Sequence, residues 1–258
     1  MTKRVHVVGC RRSGTTLMME LLWYSYLFSG RHDHEISVFE PIPAGETLYL
    51  TKKPPDTLRI REVFEADENL FVVAMLRDPR SVITSIHKKR PEVYFSSYWR
   101  WQEYIEALQP LKDHPRCVLV HYEDLVMNPQ QVQSDIESRF PVLQRQRPFD
   151  LFPEGANVPG VKAERSLNGV RGLEKSRIQG WQEHLPRLNG QLRDHPSMPA
   201  DLIDAGYEVD DSWIKQLDGV GYYTQEYKDL PPSLHRSWET KLRFWFKTKR
   251  YLHNLTQK

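Results

Sequence analysis

Val5-His6-Val7-Val8-Gly9-Cys10-Arg11-Arg12-Ser13-Gly14-Thr15-Thr16-Leu17 decides how this chain begins to fold. Val5 to Val8 is a short apolar run that ends at a glycine, and after the polar turn an apolar stretch runs from Leu17 to Leu27. A buried strand, a turn and a helix satisfy that pattern. The turn has the spacing Gly9-x-x-x-x-Gly14. Between a strand and a helix, such a turn gathers backbone N–H groups and the positive end of the helix dipole around one point, which suits a bound phosphate.

Two more apolar runs have the length of buried strands. Leu70 to Leu76 stops at Arg77-Asp78-Pro79-Arg80, where Asp78 is expected to cap a helix and Pro79 to take its first position. That helix is expected from about Ser81 to His87. Val118 to Tyr122 is the third strand, and Glu123 and Asp124 are expected to cap the helix after it. Strands alternating with helical stretches give an α/β chain with a central, mostly parallel β-sheet flanked by helices, read here as one domain over residues 1–258. Pro141 to Pro159 is rich in proline and reads as loop, and Ser176 to Leu188 reads as helix. Residues 190–234 show no clear order, and the basic, aromatic tail 235–258 is expected to be helical, with Trp238 to Lys247 its clearest part.

Composition narrows the partners. With 258 residues, 39% hydrophobic and 27% charged, the chain is globular rather than disordered. A net charge of +2 does not point to nucleic acid, although it leaves room for a local anion site. Two distant cysteines, Cys10 and Cys117, form no disulfide framework, so a reducing, cytoplasmic setting is expected. No stretch has the length of a signal peptide's apolar core or of a spanning helix.

The loop departs from those of ATP- and GTP-binding proteins in one position. The Walker pattern needs Lys after its second glycine, and Thr15 stands there, while a cation lies two positions before Gly14, at Arg12. Arg12-Ser13-Gly14-Thr15-Thr16 resembles the 5′-phosphosulfate loop of the sulfotransferases that use PAPS (3′-phosphoadenosine 5′-phosphosulfate), most closely the tyrosylprotein and bacterial branches. A second motif of that family is an Arg at the end of a buried strand with a Ser eight residues on. Arg77 and Ser85 match it. The resemblance implies a P-loop-like sulfotransferase fold and sulfuryl transfer from PAPS to an acceptor hydroxyl, with release of PAP (3′-phosphoadenosine 5′-phosphate) and no metal.

It also implies roles. Arg11, Arg12, Ser13, Gly14, Thr15 and Thr16 would hold the 5′-phosphosulfate, and Arg77 and Ser85 the 3′-phosphate on a strand–helix junction. Arg80 and Ser81 are lesser extras. Arg171 and Ser176, before Trp181, would close over the nucleotide. Tyr122-Glu123-Asp124-Leu125 resembles a further family segment. Arg12 would stabilise the leaving oxygen, with Lys53 of the Lys-Pro element beside it. Position relative to the loop suggests Glu40 as the general base, with Glu35 and His34 as competitors. As a metal site, His32-x-His34-Glu35 lacks further ligands at diagnostic spacing.

The acceptor, whether sugar, lipid or another small molecule, lies outside what these motifs specify. The aromatic run Tyr94 to Trp101 suits either a pocket wall or a buried interface, the latter favoured by its apolar content. The tail suits either a packing helix or peripheral contact with a membrane or lipid acceptor. Two other functions compete: a P-loop kinase or NTPase, and a nucleotide-binding protein without catalysis.

Overall fold

A computed structural model describes residues 2–87, 90–152, 173, 175, 178–223 and 234–257. Arg171 and Ser176 lie outside them. The chain falls into two compact units. The first comprises Met1–Leu76, Tyr104–Leu173 and Pro232–Lys258, and the second Arg77–Glu103 and Glu174–Pro231.

The first unit is built on five parallel strands: β1 (Lys3–Gly9), β2 (Gly30–Arg31), β3 (Leu48–Lys52), β4 (Leu70–Leu76) and a strand over Cys117–His121. Their order across the sheet is β2, β3, β1, β4 and Cys117–His121. This is the mostly parallel α/β sheet expected from the sequence. Six of the seven residues of β1 and six of the seven of β4 are buried, the pattern of strands covered on both faces. Under the sheet Val8, Ile60, Val63, Phe64, Leu70, Val72 and Ala74 form a single apolar cluster, each fully removed from solvent. Each of these side chains larger than Ala74 contributes about 1.5–3 kcal/mol of burial free energy.

After β1 the chain moves to β2 and β3 on one side, then crosses back to β4 on the other. In an open parallel sheet this reversal leaves a crevice beyond the C-terminal ends of the two diverging strands. The Gly9–Thr16 loop stands there. Helix α1 (Thr15–Ser25) follows it, with Met18, Leu21 and Leu22 buried. Glu20 and Arg31, both nearly buried, form an ion pair at 2.8 Å that ties α1 to β2.

The third expected strand is present one residue earlier, and a helix over Tyr122–Met127 follows it. Glu123 and Asp124 occupy its first turn, where their charge favours the helix dipole, but no side chain caps it, so the expected cap is corrected. A long C-terminal helix spans Leu234–Thr256.

In the second unit, Asp78 caps the short helix Pro79–Ile83 as expected, accepting a hydrogen bond from the Arg80 amide at 2.8 Å. That helix ends four residues sooner than His87. Thr84 turns its hydroxyl back onto the Arg80 carbonyl at 2.7 Å, and Ile86–His87 instead pairs antiparallel with the strand Arg90–Tyr94. Tyr94, Tyr98 and Trp101 are buried, as the interface reading required, and the Tyr98 hydroxyl donates to Asp201 at 2.6 Å. The stretch without clear order, 190–234, contains the helix Met198–Asp204 and the end of the helix Leu185–Asp194, which starts inside the expected helix Ser176–Leu188. Each has proline in its first turn. Those prolines are helix starts rather than loop markers.

Among the described glycines, Gly9 leaves the least room for a side chain. Its φ is 133°, and a Cβ built on it would lie 2.3 Å from the Met75 carbonyl oxygen. Gly9→Ala is therefore expected to lose at least about 2–3 kcal/mol of stability, measured by urea unfolding. A loss below 0.5 kcal/mol, the range of an ordinary surface change, would show that β4 yields freely at this point.

Candidate active site

The loop is shaped by three backbone turns. Gly9 and Gly14 have φ of 133° and 93°, and Arg12, the one non-glycine with positive φ among the described residues, has φ of 73°. The Ser13 amide and hydroxyl both donate to the Cys10 carbonyl, at 3.1 and 2.6 Å. Ser13 is fully buried. Its hydroxyl proton closes the turn. From the other side, the Gly9 amide donates to Thr57 Oγ1 at 2.8 Å.

Gly14 is the N-cap of α1, which has no side-chain cap and no acid in its first turn. A Cβ at Gly14 would stand 2.7 Å from the Tyr122 ring. The Tyr122 segment therefore supports the loop from below by packing. A helix N-terminus with neither a capping side chain nor an acid in its first turn is suited to an anion. Arg11, Arg12 and Thr16 are partly accessible around it, and Thr15 is buried.

A cation reaches the loop from β3, and it is Lys52. Its Nζ donates to Thr16 Oγ1 at 3.0 Å and lies 3.5 Å from Glu35 Oε1. Burial pulls the Lys52 ammonium below the usual lysine range, while Glu35 and Glu20 act against that pull. Lys53 does not share this place. Consecutive side chains of a strand point to opposite faces, and the Lys53 main chain turns into the 3-10 segment Pro54–Arg59, its amide bonded to the Val7 carbonyl at 3.1 Å. The signal that was present, a Lys-Lys pair at a strand end, could not say which lysine faces α1 without the register that pairs Lys52 with Val7.

The structure also separates the three candidate bases. The segment after β2 runs back alongside the sheet. The Ile36 amide bonds to the Lys52 carbonyl at 3.1 Å, which fixes Glu35 at the C-terminal edge of the sheet beside Thr16. Four residues on, the Glu40 carbonyl accepts from Arg4 Nη2 at 2.7 Å, and the Glu40 carboxylate pairs with Lys247 at 3.0 Å. Arg4 is the second residue of β1, five before Gly9, so about 16 Å of strand separates it from the loop. The Glu40 carboxylate is thus engaged by the C-terminal helix, while that of Glu35 stands beside Lys52. His34, exposed, donates its amide to His32 Nδ1 at 3.2 Å.

The same segment meets a buried polar chain. His6 Nδ1 is 2.7 Å from Thr51 Oγ1, and His6 Nε2 is 3.3 Å from Asp56 Oδ2. Asp56 also accepts from Ser37 Oγ and, at 2.6 Å, from the Val38 amide. The carboxylate so holds the strap that carries Glu35.

In the second unit, Trp101 Nε1 donates to the Arg77 carbonyl at 3.0 Å, and Arg77 is half-buried. Ser85 is not on a helix. It follows the Thr84 cap, and its carbonyl accepts from the Phe95 amide at 2.8 Å. Arg80 serves the fold: it is buried, bonded to Asp78 and Glu208, and stacked 4.4 Å from the Trp181 ring centre and 5.1 Å from that of Trp213. Ser81 donates to the Ile178 carbonyl at 3.1 Å. These two extras are engaged in packing.

No protein-family model matches the chain, and no curated protein matches it in sequence. Among solved structures it is similar to the sulfotransferase domain of the Synechococcus PCC 7002 olefin synthase, with 13% identity and a TM-score of 0.49 over 70% of this chain and 88% of that one. The sulfotransferase domain from the curacin biosynthetic pathway gives 17% identity and 0.49 over 70% and 91%. Mouse sulfotransferase SULT7A1 complexed with PAP gives 10% identity and 0.49 over 85% and 89%.

The His6–Asp56 pair sets a pH dependence. Burial pushes the imidazole below the ordinary histidine range, against the pull of Asp56. Folding thus keeps His6 neutral, and the unfolded chain binds one more proton below about pH 6.5, so stability falls as pH drops through that value. For Asp56, burial alone would raise the carboxyl, but the hydrogen bonds from His6, Val38 and Ser37 outweigh it and hold it below the usual range. Its contribution is present above about pH 4 and lost on further acidification. In denaturant titrations, His6→Asn is expected to flatten the decline between about pH 6.5 and 5. An unchanged slope would remove His6 as its source.

Proposed function

We propose that this chain is a PAPS-dependent sulfotransferase that moves a sulfuryl group to an acceptor hydroxyl and releases PAP. The observation that carries the reading is the Gly9–Thr16 loop: a strand-to-helix turn whose helix N-terminus has no side-chain cap, with Arg12 in a left-handed conformation where no Walker lysine follows. The donor set suits the group. Arginine, lysine, two threonines and helix amides, with no acid in the first turn, favour a dianionic phosphosulfate over a cation.

In the reaction, the acceptor oxygen attacks sulfur as the bond from sulfur to the 5′-phosphate oxygen breaks. The acceptor proton passes to Glu35, and the electron pair leaves on the phosphate oxygen. Arg12 and Lys52 neutralise the charge that develops there. Glu35 is supported in this role by its 3.5 Å contact with Lys52 at the loop edge. Arg77 and Ser85 are proposed for the 3′-phosphate, and Arg171 and Ser176 for a closing contact. The chain is proposed as one functional sulfotransferase domain, acting in the cytoplasm on a small sugar, lipid or other hydroxyl compound.

Calorimetry with PAP and ATP, with and without Mg²⁺, tests the donor. Tight metal-independent PAP binding with weak ATP binding is expected, and the reverse would favour a kinase. Arg12→Ala is expected to lose turnover more than PAP affinity, and Arg77→Ala to lose affinity first. Wild-type PAP binding by both would overturn the donor site.

Labelled PAPS and a panel of sugar, lipid and phenol acceptors test the base. Glu35→Gln is expected to lower turnover by about 10²–10⁴-fold, with Glu40→Gln close to wild type. PAP binding without transfer to any acceptor would leave a nucleotide-binding protein.

A further inference from the structure

The C-terminal helix has two apolar faces, and among the described residues only one is packed. Along the first, Thr248 is buried, Phe244 packs edge-on to Phe39 at 5.7 Å between ring centres, and the Tyr251 hydroxyl donates to Asp67. Arg59 stacks 4.3 Å from the Phe244 ring centre, and Lys247 pairs with Glu40. These contacts fix the rotation of the helix on the first unit. They leave Trp238, Leu242, Trp245 and Phe246 74%, 58%, 52% and 58% exposed. Those four fall at i, i+4, i+7 and i+8, one stripe of a helix with about 3.6 residues per turn.

Cations accompany the stripe. Lys241 lies 5.7 Å from the Trp238 ring centre and Lys249 5.9 Å from that of Trp245. Arg243 and Arg250 are further along the same helix, and from Trp238 to Gln257 the one acid is Glu239. Trp and Phe flanked by Lys and Arg suit the headgroup region of a lipid bilayer, where rings enter the acyl boundary and cations meet anionic headgroups. A second protein copy is less well matched, since it would bring this basic face against itself. Among the described residues no helix is long and apolar enough to cross a membrane. The helix therefore suits lying on a surface rather than spanning it.

We infer that the outward stripe of the C-terminal helix docks the protein on an anionic lipid surface. The inference is independent of the proposed reaction. Flotation of the full chain with vesicles of phosphatidylcholine plus phosphatidylserine, against phosphatidylcholine alone, tests it. Binding is expected with phosphatidylserine and is expected to fall at least about tenfold without it or at raised salt. The combined substitutions W238S, W245S and F246S should abolish binding with the thermal melt unchanged. Should that variant unfold, K241E with K249E, which keeps every aromatic, should still weaken binding. Failure to float with phosphatidylserine overturns the inference. So does equal, salt-insensitive binding to phosphatidylcholine. Self-association in sedimentation that the same aromatic substitutions abolish would instead give the stripe to a second copy, and would overturn it too.

Discussion

Strand β1 comes so close to β4 at Gly9 that the Met75 carbonyl occupies the space of a side chain. The chain must leave the sheet there, in a backbone conformation open to glycine and closed to most residues. Much of the first unit depends on that exit. It starts the loop at the crevice where the strand order reverses, and it lets the next residues curl into positive φ at Arg12 and Gly14 before α1 begins. The second glycine answers to a different neighbour, the Tyr122 ring, so the loop is held between β4 and the helix after the last strand. A phosphate cradle of this kind is a consequence of close packing as much as of its own donors.

Charge is arranged around the loop in a way that packing enforces. Glu20 with Arg31 and Glu35 with Lys52 form two pairs near the start of α1, the first almost fully buried and the second open at its carboxylate. Buried pairs add little net stability, because desolvation offsets their attraction. Their value here lies in orientation: Lys52 is held against Thr16, and Glu35 keeps partial access to solvent. Beneath them, neutral His6 and ionised Asp56 connect the central strand to the strap that carries Glu35.

Much of this was legible from residue order, and the failures have physical causes. The strand–turn–helix, the Leu70–Leu76 strand and the Asp78–Pro79 helix start follow from local rules of burial and capping, and each is present. The helix after Pro79 stops early because Thr84 bonds back to Arg80 and the next residues find a strand partner, a contact with residues 90–94 that no local window contains. Ser13 carries a phosphate-loop signature, and its hydroxyl closes the turn. Proline at 199 was ambiguous because proline both marks loops and begins helices. The tail's amphipathic pattern was plain in sequence, but which of its faces meets the protein was not.

By itself the sequence determined the elements whose signals are short-range: the apolar strands, the two loop glycines, the misplaced cation at Arg12 and the parallel α/β class. Tertiary structure decided which of two adjacent lysines meets Thr16, and that Glu35 rather than Glu40 stands beside it. Strand register selects one of two adjacent lysines, because their side chains point to opposite faces. The strap after β2 turns over Ser37–Glu40, so five residues of sequence take one carboxylate to Lys52 and the next to Lys247. Distance along a chain measures such positions only while the chain keeps its direction, and here it turns.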